Sequence, residues 1–167
     1  MNYELLVRFL ADFTLVPIVL SGAIALLLAI PKGRRFEAYA RILLAGLTAL
    51  LIAKLTAALW QPSELRPFLE KGLPAGAAYL DNPGFPSDHA LFAAAITLAV
   101  YFETPLRRLA TALVIATLGM CVGRVLALVH TPLDILGGLF FASVGALWYA
   151  TAPTRLGKQS SRAYTKR

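Results

Sequence analysis

The sequence predicts an all-α fold, a polytopic membrane helical bundle of about five transmembrane helices plus an N-terminal interfacial helix. Three observations predict it. Of the 167 residues 58% are hydrophobic, the mean hydropathy is +0.68, and the apolar residues fall in runs too long for the core helices of a soluble domain. A hydrocarbon layer about 30 Å thick needs roughly 20 apolar helical residues. Five stretches reach or approach that length: 13–30, 39–60, 89–102, 106–129 and 133–152. The third is short, so it starts or ends in the interface.

Residues 1–12, "MNYELLVRFLAD", place Leu5, Leu6, Phe9 and Leu10 on one helical face and Glu4, Arg8 and Asp12 elsewhere. That pattern predicts an interfacial amphipathic helix. A cleaved signal peptide is not expected: the first apolar run is long, its N-terminal flank is not basic, and "AIPKGRR" offers no small-residue cleavage site. Residues 82–90, "NPGFPSDHA", introduce the third span. Pro83 and Gly84 favour a turn, and Ser87 or Asp88 can N-cap the helix. Thr131 and Pro132 read as N-cap and first residue of the fifth span. Gly138, Ala142 and Ala146 recur every four residues along that span, and the third is rich in alanine, so these helices can approach closely. There is no internal repeat, and the length fits a single domain over 1–167. The lone Cys121 excludes an intramolecular disulfide.

Basic residues set the orientation. Lys32, Arg34, Arg35 and Arg41 follow the first span, Arg107 and Arg108 follow the third, and Arg155, Lys158, Arg162, Lys166 and Arg167 form the tail. With five spans all three groups share one side, which the positive-inside rule makes cytoplasmic. They hold 11 of the 16 basic residues, so the net charge of +7 belongs mostly to that face. It points to anionic membrane lipids and not to nucleic acid. The opposite side holds both histidines, and Lys54, Arg66 and Arg124 lie in or beside its connections.

These residues form a polar constellation. In "GRVLALVHTPLD" His130 lies just outside the fifth span and Asp134 one turn along it, where its carboxylate can bond one imidazole nitrogen and leave the other free. Thr131 to Asp134 also makes a capping box with Asp in place of Glu, so a pure cap is the competing reading. For His130 the competitor is an ordinary interfacial polar residue. Arg124 needs an anionic partner, since an arginine at mid-depth costs about 2.5–3.5 kcal/mol. The start of the third span offers unpaired N–H groups to an anion with His89 in the first turn. A cap with an incidental histidine reads the same residues. Arg66 precedes Pro67, which pushes it from the α region, and its planar guanidinium could fork over a phosphate or simply be solvated. Lys54, about two turns before Trp60, can reach the site or snorkel. Taken together, two histidines, three cations and a helix N-terminus on one face are equipment for displacing an oxygen leaving group from a phosphoryl group.

At these residues the sequence resembles the phosphatidic acid phosphatase type 2 superfamily, whose motifs run Lys-x6-Arg-Pro, Pro-Ser-Gly-His and Ser-Arg-x5-His-x3-Asp. The third stands as "GRVLALVHTPLD", with Gly123 in place of serine. The second stands as "PSDH", with Asp88 in place of glycine. The first survives as Arg66-Pro67, with Lys54 standing 12 residues before Arg66 instead of seven. "FPSDHA" is similar to the undecaprenyl diphosphate phosphatase branch, in which aspartate commonly takes the glycine position. The superfamily often has six spans, against the five plus an interfacial helix read here.

Carried over, the resemblance implies that His130 attacks phosphorus to give a phosphohistidine while Asp134 holds it. His89 would protonate the leaving oxygen and then activate water. Arg66, Arg124, Lys54 and Ser87 would bind the phosphoryl oxygens. Asp88 departs from the pattern, and since a carboxylate beside a phosphate site would repel the substrate, it is expected to pair with Arg66 or a neighbouring cation, or to hydrogen-bond His89 and raise its pKa. It implies no cofactor and no metal, since histidines 41 residues apart, one of them needed as nucleophile, make no convincing ligand set with Asp88 and Asp134. The implied substrate is a polyprenyl diphosphate, hydrolysed at the outer face of a bacterial inner membrane during cell-wall synthesis, with the C-terminus cytoplasmic. Phosphatidylglycerophosphate, phosphatidic acid or a lipid A phosphate fits the same site. A transporter or a non-catalytic lipid binder stands as the other class. A transporter would place ionisable groups near mid-membrane, whereas most of them here lie at one face.

Overall fold

A computed structural model describes residues 2–151, and these are helical with no strand among them. α1 (Tyr3–Arg8) runs through a π-helical turn at Phe9–Phe13 into α2 (Leu15–Ala29). A 3-10 turn at Lys32–Arg34 opens α3 (Arg35–Leu59). The loop after it carries the short α4 (Pro67–Glu70). α5 (Asp88–Glu103), α6 (Arg107–Leu126) and α7 (Pro132–Gly145) follow, and α7 ends in a 3-10 stretch at Ala146–Thr151. Four segments are long and apolar enough to cross a membrane: Tyr3–Ala29, Lys32–Leu59, Arg107–Leu126 and Pro132–Thr151. α5, with 16 residues, spans about 24 Å and falls short of a full crossing, as its sequence length predicts. Ala152 and the basic tail from Arg155 to Arg167 lie outside the described residues.

The amino-terminal segment joins the first span without a break: Tyr3–Ala29 is one continuous helical stretch, with residues 3–13 as its opening turns. Val7, Ala11 and Ile18 are buried, while Leu5, Leu6 and Phe9 are exposed. In a bilayer the large apolar side chains face lipid and the small ones face neighbouring helices. The apolar face of 1–12 is therefore its outer face, and the side carrying Asp12 turns inward.

Packing is tightest where residues are small. α7 lies closely against both α5 and α3, while α3 and α5 touch each other sparingly. A Cβ added at Gly138 would come 2.6 Å from the carbonyl oxygen of Ser87, so the α5–α7 crossing needs glycine there. The Gly138, Ala142, Ala146 stripe is thus an approach surface, as its four-residue spacing predicts. Ser87 N also donates to the carbonyl oxygen of Asp134 at 2.9 Å, fastening the starts of α5 and α7 together.

At the opposite end Arg41 donates to both carboxylate oxygens of Glu103, Nε to Oε1 at 2.6 Å and Nη2 to Oε2 at 2.9 Å. Both side chains are buried, and Arg34 approaches the same carboxylate at 3.9 Å. The cations after the first span and those after the third therefore lie at one end of the bundle, and the histidines at the other.

Candidate functional site

Three chain segments meet at the histidine end: the turn after α6, the loop before α5, and the π-helical turn of the first span. Each is held by its own sequence. Thr131 caps α7 by accepting from Asp134 N at 3.2 Å, and Asp134 Oδ2 accepts from Thr131 N at 2.8 Å, a complete capping box. The same Oδ2 lies 3.4 Å from Nδ1 of His130. The two sequence readings of Asp134 are therefore both met by one carboxylate oxygen. An ionised carboxylate only accepts, so in that contact Nδ1 carries the proton and Nε2 keeps its lone pair. His130 is buried, which lowers its pKa from the ordinary 6.5; the hydrogen bond it donates to Asp134 opposes this and the charges of Arg124 and Arg66 reinforce it. Neutral imidazole is the favoured form.

Ser87 is the N-cap of α5, fully buried, its hydroxyl accepting from Ala90 N at 3.4 Å. That role leaves its side chain turned into the helix. His89 stands two residues on, in the first turn. Asp88, beside it, receives Lys54 Nζ at 2.8 Å on Oδ1 and 3.0 Å on Oδ2. Of the two expectations for Asp88, pairing with a cation is met, and the cation is Lys54, not Arg66. The 12-residue offset of Lys54 from Arg66 still brings the ammonium to the start of α5.

Arg66 is 4% exposed. Its guanidinium donates to the carbonyls of Asn82, Leu80 and Val129 at 3.0, 3.0 and 2.5 Å and to Asn82 Oδ1 at 2.7 Å, with Tyr79 beneath it. The expected free fork is mostly engaged with protein: four of its N–H groups tie the loop to the α6–α7 turn. Burial lowers its pKa from the usual guanidinium value, while Asp134 and Tyr79 act in the other direction. Gly84, with φ of 111°, lets the loop pass between Arg66 and Asp134 in a conformation closed to other residues.

Arg124 is 1% exposed, and its Nη1 donates to Asp12 Oδ1 at 3.0 Å. Its Nε has no partner. Asp12 Oδ2 accepts from Ala78 N at 3.0 Å, joining the first span to the long loop. Asp12 is the residue that sequence reasoning missed, and its one signal was a carboxylate at the head of an apolar run. Gly123, the position where the superfamily pattern has serine, explains how it gets there. A Cβ on Gly123 would lie 2.7 Å from Ala11 N and 2.8 Å from Leu10 Cβ. Only glycine lets the π-helical turn lie against α6 and deliver Asp12 to Arg124.

Arg66, Asn82, Asp88, His89, Arg124 and His130 line one small cavity of about 20 Å³, room for a water-sized group. Both histidines and both arginines of the sequence expectation thus share one cavity, Lys54 stands behind Asp88 at its edge, and Ser87 is in the helix cap. Among the described residues no group of three or more His, Cys, Asp or Glu side chains is placed to hold a metal ion. Neutral imidazole with one free nitrogen, a second imidazole and two buried guanidiniums can attack, protonate and neutralise at a tetrahedral anion. A family model described as the PAP2 superfamily matches residues 38–158, more than half of the chain. No curated protein and no solved structure matches it.

Proposed function

The chain belongs to the PAP2 superfamily, and from that premise we propose that it is an integral membrane lipid phosphatase working through a phosphohistidine. The observation that carries this is the shared cavity: His130 and His89 line it with Arg66 and Arg124, and Nδ1 of His130 faces Asp134.

In the proposed reaction Nε2 of His130 attacks phosphorus as the bond to the leaving oxygen breaks. Asp134 holds the ring and stabilises the imidazolium that forms. His89 gives its proton to the leaving oxygen, then takes one from water. The resulting hydroxide displaces the histidine, releasing phosphate and regenerating both rings. Arg124 and Arg66 neutralise the oxygens as charge builds on them. Nothing in this sequence of steps calls for a metal.

The substrate we assign is undecaprenyl diphosphate, cleaved to the monophosphate and phosphate. Support comes from the aspartate in "FPSDHA", the position that resembles the undecaprenyl diphosphate phosphatase branch. The positive-inside rule supports a site facing the periplasm or outside and a cytoplasmic C-terminus in a bacterial inner membrane. A panel of lipid mono- and diphosphates offered to the reconstituted protein tests the assignment. Fastest release from a polyprenyl diphosphate is expected. Preference for phosphatidylglycerophosphate, phosphatidic acid or lipid A would replace the substrate, and binding without release in every case would leave a non-catalytic lipid binder.

A further inference from the structure

The cavity that holds both histidines is smaller than the phosphoryl group it would receive. Its volume of about 20 Å³ holds about one water, whereas a phosphoryl group carries three terminal oxygens around phosphorus. One wall must therefore yield. The helix side is fixed: Arg124 is 1% exposed and held by Asp12 at 3.0 Å, His130 is buried against Asp134, and Ser87 N ties the start of α5 to the Asp134 carbonyl at 2.9 Å. The loop side is not. Segment 79–84 is pinned on one side by Ala78 N donating to Asp12 and on the other by Gln61 Nε2 donating to the Phe85 carbonyl at 3.1 Å. Between these pins, among the described residues, its hydrogen bonds to the rest of the chain all run to Arg66. Leu80 and Asn82, which line the cavity, are exposed, and Gly84 with its positive φ gives the backbone a pivot at the α5 end.

We propose that Asn82 is a positioning residue that latches Arg66 in the unloaded site and yields it to the phosphoryl group. This rests on the phosphatase reading for the identity of that group. The backbone oxygen of Asn82 accepts from Arg66 Nε at 3.0 Å, and its Oδ1 accepts from Nη2 at 2.7 Å. Nε and Nη2 form one edge of the planar guanidinium, the kind of edge on which two oxygens of a phosphoryl group fit side by side. Asn82 thus occupies that edge as a neutral stand-in for the anion. A hydrogen bond to an ionised oxygen is about twice as strong as one to a neutral oxygen, so the phosphoryl group takes both donors and frees 79–84 to swing off the cavity. The Val129 carbonyl keeps Nη1 throughout and holds the guanidinium in place. Arg66, buried in either state, is never left without acceptors, which avoids the cost of an unpaired buried charge.

Breaking the latch should strengthen binding. A site that must first open has its apparent affinity reduced by the fraction open, and one hydrogen bond to a charged donor holds that fraction down about tenfold. Asn82→Ala should therefore lower both KM for a lipid phosphate and the Kd of inorganic phosphate, read by calorimetry in detergent, by about threefold to tenfold. The change should fall in KM and not in kcat. A residue that only supports the fold, or one that itself binds substrate, would move KM and Kd the other way, and unchanged or raised values overturn the proposal. A second measurement does not depend on turnover: Asp81→Cys, at an exposed position within the segment, carries a nitroxide label, Cys121 being buried. Its spectrum should pass from a restrained to a mobile line shape when inorganic phosphate or, in separate samples, phosphatidic acid in phosphatidylcholine vesicles is added. Release by inorganic phosphate assigns the trigger to the phosphoryl group itself, release by phosphatidic acid alone assigns it to a lipid headgroup, and either supports the latch. A line shape unmoved by both overturns it. Hydrolysis of lipid phosphates without release would remove the latch and leave the phosphatase reading standing; release without any hydrolysis would do the reverse.

Discussion

Asp12 Oδ1 accepts a hydrogen bond from Arg124 Nη1 at 3.0 Å, across 112 residues of sequence, while its other oxygen holds Ala78 N at the same distance. One carboxylate thus fixes the direction of a buried guanidinium and anchors the loop that covers it. Removing it leaves Arg124 charged, buried and unpaired, which costs roughly 3 kcal/mol at the low end for a broken buried pair. Asp12→Ala should lower the thermal midpoint in detergent clearly. Asp12→Asn keeps one acceptor oxygen, enough for Arg124 or for Ala78 N but not for both, and should lower it less. If Arg124 binds phosphate, both variants should also lose about tenfold or more in kcat/KM. Unchanged kinetics in a destabilised Asp12→Asn would make the pair purely structural.

Gly123→Ser restores the superfamily residue and should nonetheless harm this protein. The new Cβ falls 2.7 Å from Ala11 N, a backbone atom that cannot step aside. Overpacking of this kind costs about 1–3 kcal/mol. Lower stability, read as a lower thermal midpoint in detergent, is the expected result. A Gly123→Ser protein as stable as wild type would refute the close-approach account.

His130→Ala should abolish phosphate release, since it removes the imidazole whose Nδ1 faces Asp134 and whose Nε2 is the proposed nucleophile. His89→Ala should slow turnover by about 10²–10⁴, the usual contribution of a general acid or base. Because the proposed mechanism also gives His89 the activation of water in the second step, this variant should accumulate acid-labile, base-stable phosphohistidine on His130. Mass spectrometry of the quenched enzyme checks it. Phosphate found on His89 instead would exchange the two roles.

The pH dependence follows from the lowered pKa of His130. The proposed attack requires neutral His130, so the acid limb of kcat/KM should lie below the ordinary 6.5. The folded protein binds fewer protons than the unfolded chain as pH falls below 6.5, so this group also makes stability decline through that window and contributes nothing above it. The hydrogen bond that His130 donates to Asp134 raises the pKa, so Asp134→Asn should move the acid limb still lower. The same variant should lose about 10³–10⁴ in kcat, because an amide no longer fixes the tautomer. An acid limb that moves up contradicts the contact.

Much of this protein was legible in its sequence because a bilayer imposes few solutions. Apolar runs of the right length must be helices, since lipid offers no partner to a free N–H or carbonyl group. Their ends were marked by residues with local roles: Ser87 and Thr131 as caps, Pro132 as a first helical residue, and small residues along α7 as a contact face. The Arg124, His130 and Asp134 spacing exposed most of the cavity for a related reason, as His130 and Asp134 meet across a single helical turn.

Only the tertiary structure decided which polar groups satisfy one another. It turned Asp12 inward by sending the large side chains of the first span toward lipid, gave Asp88 to Lys54, and spent most of the N–H groups of Arg66 on the loop and the α6–α7 turn. These pairings join segments 14 to 112 residues apart. Their partners are chosen by helix rotation and by close approaches such as Gly123 against Ala11, and those depend on packing of the whole bundle, which no local pattern encodes.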